Sequence, residues 1–219
     1  MKRSTTLTTL ALASALALAG CGTSGAQEGA GTDAETAAPA ASASAATSTG
    51  AASGEPIAAE HNDADVMFAQ MMLPHHEQAV QMSEILLGKD LVPEDVRDLA
   101  ERVRDTQAPE MEQMRAMLTA WEAPATPEAS AAEHGGHGSG MVDEQGMNWL
   151  REAEEGPEAA ELYLEQMTAH HEGAIEMARN QVEDGTNPQA LELAREIVEA
   201  QEAEIAEMDT MRQELSKGS

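Results

Sequence analysis

Two short runs in this sequence bring thioether, imidazole and carboxylate groups together at the same spacing. Met72-Leu73-Pro74-His75-His76-Glu77 recurs as Met167-Thr168-Ala169-His170-His171-Glu172, and the match extends to Met82 and Met177 at a constant offset of 95. A second set follows each run at an offset of 94, with Gln107, Glu110, Met111 and Met114 falling on Gln201, Glu204, Ile205 and Met208. Imidazole suits copper, zinc, iron and nickel; thioether sulfur selects Cu(I); a carboxylate adds charge compensation and accommodates Cu(II). Met with His therefore points to copper, with Cu(I) favoured and Cu(II) possible. The only cysteine, Cys21, lies far from both runs. Thioether is the soft ligand that survives where thiolates oxidise to disulfides.

The repeat also fixes the elements that must carry these groups. Leu87-Gly88 ends a helix, and Pro93 with Glu94 and Asp95 opens the next; Gly185, Asn187 and Pro188 repeat that punctuation in the second half. The spacing predicts helices over 63–87, 93–120, 157–183 and 188–215, with 141–155 adding a short one. Each half is one helical hairpin, and a hairpin alone cannot bury its apolar stripe. Two hairpins joined by a long connection give an all-α fold, a four-helix bundle wired in the ferritin-like way with a long crossover. Its parts are a hairpin at 60–121, a linker at 122–156 and a hairpin at 157–215, within a domain spanning 60–219.

Phe68, Met72, His75, Ala79, Met82 and Leu86 alternate at 4-3-4-3-4, as an inward seam does, and Tyr163, Met167, His170, Ala174 and Met177 repeat it. One histidine of each pair faces the core, and His76 and His171 flank the seam. In an antiparallel hairpin, residues at one height have a constant sum, about 181 in the first half and about 371 in the second. That register sets His75 beside Gln107 and Met72 beside Glu110 and Met111, and in the other half His170 beside Gln201 and Met167 beside Glu204. The expectation is one metal site per hairpin, from Met72, His75, His76, Glu110 and Met111 in the first and Met167, His170, His171 and Glu204 in the second. Met82, seven residues or about two turns beyond His75 along its helix, would serve a second ion with Met114, Met177 and Met208, or is core. In the linker, His134, His137 and Met141 could capture a metal or belong to a solvated connection. Pro74 and Pro109 fall at nearly one height and could open the first site, since Ala169 and Ala203 take their places in the second.

The remaining sequence says where the protein works and excludes several partners. Lys2 and Arg3, the apolar stretch Leu7–Leu18 and the run Leu18-Ala19-Gly20-Cys21 form a lipoprotein signal over 1–20 with Cys21 as the lipidated residue. Residues 21–59 lead from that cysteine through an Ala/Ser/Thr/Gly-rich tether lacking buriable side chains. The location expected is extracytoplasmic, at the cell envelope, with membrane contact through the lipid alone. The formal charge of the whole chain is −28, with 12 Lys+Arg against 40 Asp+Glu. Such a chain repels phosphate backbones, which excludes nucleic acid as a partner.

Met-x-x-His-His-Glu in two copies, Asp65-x-x-Phe68 ahead of the first, Gly146-Met147 before the third helix and Gln-x-x-Glu in each second helix resemble the CopM-like family, long catalogued as a domain of unknown function. The resemblance covers about 60–215. It implies a ferritin-like helical bundle, often exported or lipid-anchored, with copper binding and copper tolerance in some members. By position it supports Met72, His75, His76, Met82, Met167, His170, His171 and Met177. Ala160 stands where the first copy has Asp65, and Tyr163 replaces Phe68. The leading expectation is a copper-binding protein that sequesters or passes on the metal and is not an enzyme. The alternative is a metal-free helical module docking a partner protein. A ferritin-like oxidase fits less well, because the residues three before the histidines are Met72, Leu73, Met167 and Thr168, where a di-iron site needs Glu.

Overall fold

The computed structural model describes residues 56–126 and 140–218. The expected signal segment, Cys21, most of the tether, His134 and His137 lie outside the described residues. Within them the chain forms five helices and no strand: α1 (Asp63–Leu87), α2 (Glu94–Ala120), α3 (Glu144–Glu152), α4 (Pro157–Asp184) and α5 (Pro188–Gly218). These match the predicted helices to within three residues at each end. The short helix is trimmed by three residues at both ends, because Asp143 caps it through Gly146 N and Ala153 leaves helical geometry.

Local chemistry sets the ends. Asn62 and Asp65 close a capping box on α1, with Asn62 accepting from Asp65 N at 3.0 Å and Asp65 from Asn62 N at 2.8 Å. Pro157 sits in the first turn of α4 behind Gly156, whose φ is 88°. Asn187 accepts from the amides of Gln189 and Ala190 to start α5. Pro74 and Pro109 are absorbed inside α1 and α2, which both run on unbroken.

α1 packs on α2, α4 packs on α5, and the two hairpins meet chiefly along α1 and α4, with sparser contact between α2 and α5. Asp65–Gln181, His75–His170 and Ser83–Tyr163 pair across α1 and α4, with residue numbers that sum to 245 or 246, so these helices run antiparallel in a fixed register. The fully buried Ala69, Ala79, Ala174 and Ala178 keep side chains small on these two helices and permit a close approach. The core has two parts. Met82, Leu86, Tyr163, Met167 and Met208 belong to one cluster, and Phe68, Met72, Met111, Met114 and Met117 to the other. Met72, Met82, Met114, Met117, Met167 and Met208 are fully buried, each worth about 1.5–3 kcal/mol of transfer free energy.

Two segments do more than connect. Residues ahead of 60 join the bundle: Ile57 packs on the core, Trp121 Nε1 donates to Ala58 O at 3.1 Å, and Asn187 Nδ2 donates to Ala58 O at 3.0 Å. His61 stacks on Trp121 with ring centroids 4.9 Å apart. The second segment, Gly140–Asp143, is a strap across α1 and α4. Gln78 clamps Val142 through both amide atoms, each bond 2.8 Å, and Gln166 Nε2 donates to Gly146 O at 3.0 Å. Gly140 has a φ of 80°, and a Cβ there would lie 2.5 Å from Ala169 O and 2.9 Å from His170 O. Gly140→Ala is therefore expected to detach the strap at a cost of about 1–3 kcal/mol. Amide exchange at Val142 N would then accelerate roughly 5- to 150-fold, while amides in the middle of α2 keep their protection.

Candidate metal centre

The expected ligands lie on the middle turns of the four long helices. His75 and His170 meet across the α1–α4 contact with ring centroids 3.6 Å apart and planes tilted by 37°. His170 and His171 lie 6.4 Å apart, centroid to centroid. The hairpin register puts Gln107 and Gln201 at this height, and all six polar side chains are 3% exposed or less. A layer of two imidazole pairs and two amides thus crosses the interior.

This arrangement departs from one independent site per hairpin. The inward histidines of the two halves touch one another, because the antiparallel α1–α4 register sets residue 75 against residue 170. The methionines mix across the hairpins in the same way. Met82 of α1 shares its cluster with Met167 and Met208 of the second half, and Met177 of α4 packs against the cluster of Met72, Met111 and Met114. One sulfur cluster therefore lies on each side of the imidazole layer. Of the residues expected to serve a second ion or the core, Met82, Met114 and Met208 belong to these clusters and Met177 packs against one. Met141 sits in the strap, 39% exposed and in neither cluster.

The glutamates also take a different place. Glu110 Oε2 lies 2.7 Å from His76 Nε2, and Glu204 Oε2 lies 2.7 Å from His171 Nε2. The sequence register had set these carboxylates beside Met72 and Met167. A glutamate side chain spans the extra distance to the neighbouring imidazole, and a carboxylate gains more from an N–H than from sulfur. Both histidines are fully buried, whereas the Glu110 and Glu204 side chains are 21% and 16% exposed.

The electrostatics favour a cation. Burial, then the neighbouring His75, His171 and His76, hold the His170 pKa well below its ordinary value, so its ring is neutral at physiological pH and no proton competes for its lone pair. Both ring nitrogens of His170, Nδ1 of His76 and of His171, and the Oε1 atoms of Gln107 and Gln201 are buried without a hydrogen-bond partner. Buried polar atoms left this way are costly, and a bound ion would satisfy those that carry a lone pair. Among the described residues no three His, Cys, Asp or Glu side chains are disposed to hold a metal by themselves. Thioether sulfur flanks the imidazole layer on both sides, and a centre that drew on it would suit a soft ion. The residues present fit copper.

A helical bundle with a buried imidazole layer between two methionine clusters defines the class of this protein. Its residues 65–212 match the family model described as Domain of unknown function (DUF305), and the chain belongs to that family. It is similar to a presumed secreted DUF305 protein from Streptomyces coelicolor, with 36% identity over 70% of this chain and 94% of that one and a TM-score of 0.66. A DUF305 fragment from Deinococcus radiodurans is 29% identical over 73% of this chain and 99% of that one, with a TM-score of 0.61. CopM, solved in Cu(I)-bound and Cu(II)-bound forms, is 28% identical over 68% of this chain and 96% of its own, with a TM-score of 0.57. No curated protein matches the chain.

Proposed function

We propose that this protein is an extracytoplasmic copper-binding protein, anchored through a lipid on Cys21, that sequesters copper or hands it on and catalyses no reaction. The observation that carries this reading is the buried imidazole layer around the His75–His170 contact, in which His170 is held neutral and Nδ1 of His76 and of His171 has no hydrogen-bond partner, set between two clusters of buried methionine. Copper and silver forms of CopM support it at the level of the family. The duplicated hairpins and the long connection between them support kinship with ferritin-like bundles. His75, His170, His76 and His171 would hold the ion, with Met72, Met111 and Met167 as the nearest sulfur ligands. Copper bound there would be kept from water and from redox cycling. The acidic surface raises the local concentration of cations.

The test is thermal unfolding of the purified protein with Cu(I) under reductant, and with Cu(II), Zn(II) and Fe(II). A ligand that binds only the native state stabilises it by about 2.7 kcal/mol at a hundredfold excess over Kd. Cu(I) is expected to raise the transition most. If no metal moves it, the buried polar layer is structural and the reading becomes a metal-free module that docks a protein partner.

A further inference from the structure

Resting on the copper-binding reading above, we infer that Glu110 and Glu204 are positioning residues and not ligands: each holds the Nε2–H of a histidine, so that His76 and His171 present Nδ1 to the metal. A carboxylate can only accept. At 2.7 Å from Nε2 it therefore selects the tautomer with the proton on that nitrogen. The imidazole lone pair is then left on Nδ1. In both histidines Nδ1 is buried and has no hydrogen-bond partner.

The arrangement occurs twice, on α1 with α2 and on α4 with α5, and reads as the carboxylate–histidine pairing that orients imidazole ligands in metal sites and raises their basicity. Positive charge arriving at Nδ1 strengthens the Nε2–H bond to the carboxylate. Direct ligation by the glutamates would instead break the bonds that satisfy two fully buried rings. Partial exposure of the glutamates lets solvent carry part of the cost of their charge while the rings stay dry.

The experiment is 15N NMR of labelled protein, metal-free and loaded with Ag(I), a diamagnetic stand-in for Cu(I) whose spin couples to a ligating nitrogen. The expected spectra show a protonated Nε2 and bare Nδ1 at His76 and His171 before loading, and silver coupling on Nδ1 after it. Glu110→Gln should weaken Cu(I) binding about 10- to 100-fold in a chelator competition and disturb the tautomer of His76 while leaving that of His171 alone; Glu204→Gln should do the converse. Coupling on Nε2, unchanged affinity in both variants, or silver bound at His75 and His170 alone overturns the positioning role and leaves the copper reading standing. If the wild-type protein binds neither ion, the copper reading itself fails. A variant that does not fold leaves the wild-type spectra to decide.

Discussion

Asp65→Ala is expected to lower the stability of the bundle by about 3–5 kcal/mol, the scale for breaking a buried charged network. Asp65 is fully buried. It accepts from Asn62 N at 2.8 Å, Gln181 Nε2 at 2.5 Å, Thr186 Oγ1 at 3.0 Å and Asn187 N at 3.0 Å, and from Thr186 N at 3.1 Å. One carboxylate thus ties the start of α1 to the end of α4 and the turn into α5. Removing it strands several donors that the fold shields from water. At about 2–4 °C per kcal/mol for a chain of this size, Tm should fall by roughly 6–20 °C. Burial alone would raise the pKa of this carboxyl, but hydrogen bonds from Asn62, Gln181, Thr186 and Asn187 outweigh burial and hold it below the ordinary 3.8. Its contribution is therefore complete above the ordinary carboxylate range and is lost as pH falls through the depressed folded value. The acid limb of the stability curve, measured by urea unfolding between pH 2 and 6, should flatten in the variant, whose deficit shrinks at low pH.

Replacing His75 alone should cost most of the metal-dependent stabilisation, and so should replacing His170 alone. Were the hairpins to hold independent sites, His75→Ala would leave the second site at full strength. With ring centroids 3.6 Å apart the two imidazoles would serve one centre, so removing either would withdraw a ligand from it. The Cu(I)-induced rise in Tm, about 5–11 °C at a hundredfold excess over Kd, should shrink to near zero in either variant. In the metal-free protein His170→Ala should cost less than an ordinary large-to-small core substitution, because two buried ring nitrogens without a hydrogen-bond partner leave with the ring. The paired measurement separates a ligand from a packing residue, since a packing residue would lower Tm equally with and without copper.

The helices and their hairpin pairing could be read from the repeat and from Gly88, Pro93, Gly185 and Asn187, because caps and breakers act within a few residues of themselves. The inward turn of His75 and His170 followed from the seam spacing for the same reason. Their contact with each other did not, since it depends on the register of α1 against α4, which no loop between them sets. Ala79 and Ala174, one turn beyond each histidine, were the available signal for close approach of these helices. The place of Glu110 and Glu204 does not follow from the constant-sum register, because that register positions backbones and a glutamate reaches the next side chain. The strap is not legible in the repeat, because Gln78 and Gly173 occupy equivalent positions in the two copies and only their difference lets a single segment clamp to one helix and lie flat on the other. Asp65 has no counterpart at Ala160 because it seals the turn between α4 and α5, and that turn meets α1 only once.

X-ray absorption at the copper edge of the Cu(I)-loaded protein tests the central claim most directly. The account predicts a shell containing both nitrogen and sulfur, with the sulfur contribution reduced when Met72 and Met167 are replaced by Leu and the nitrogen contribution reduced when His75 and His170 are replaced by Ala. A shell of nitrogen and oxygen alone, indifferent to both pairs of substitutions, would place copper elsewhere on the chain and contradict it.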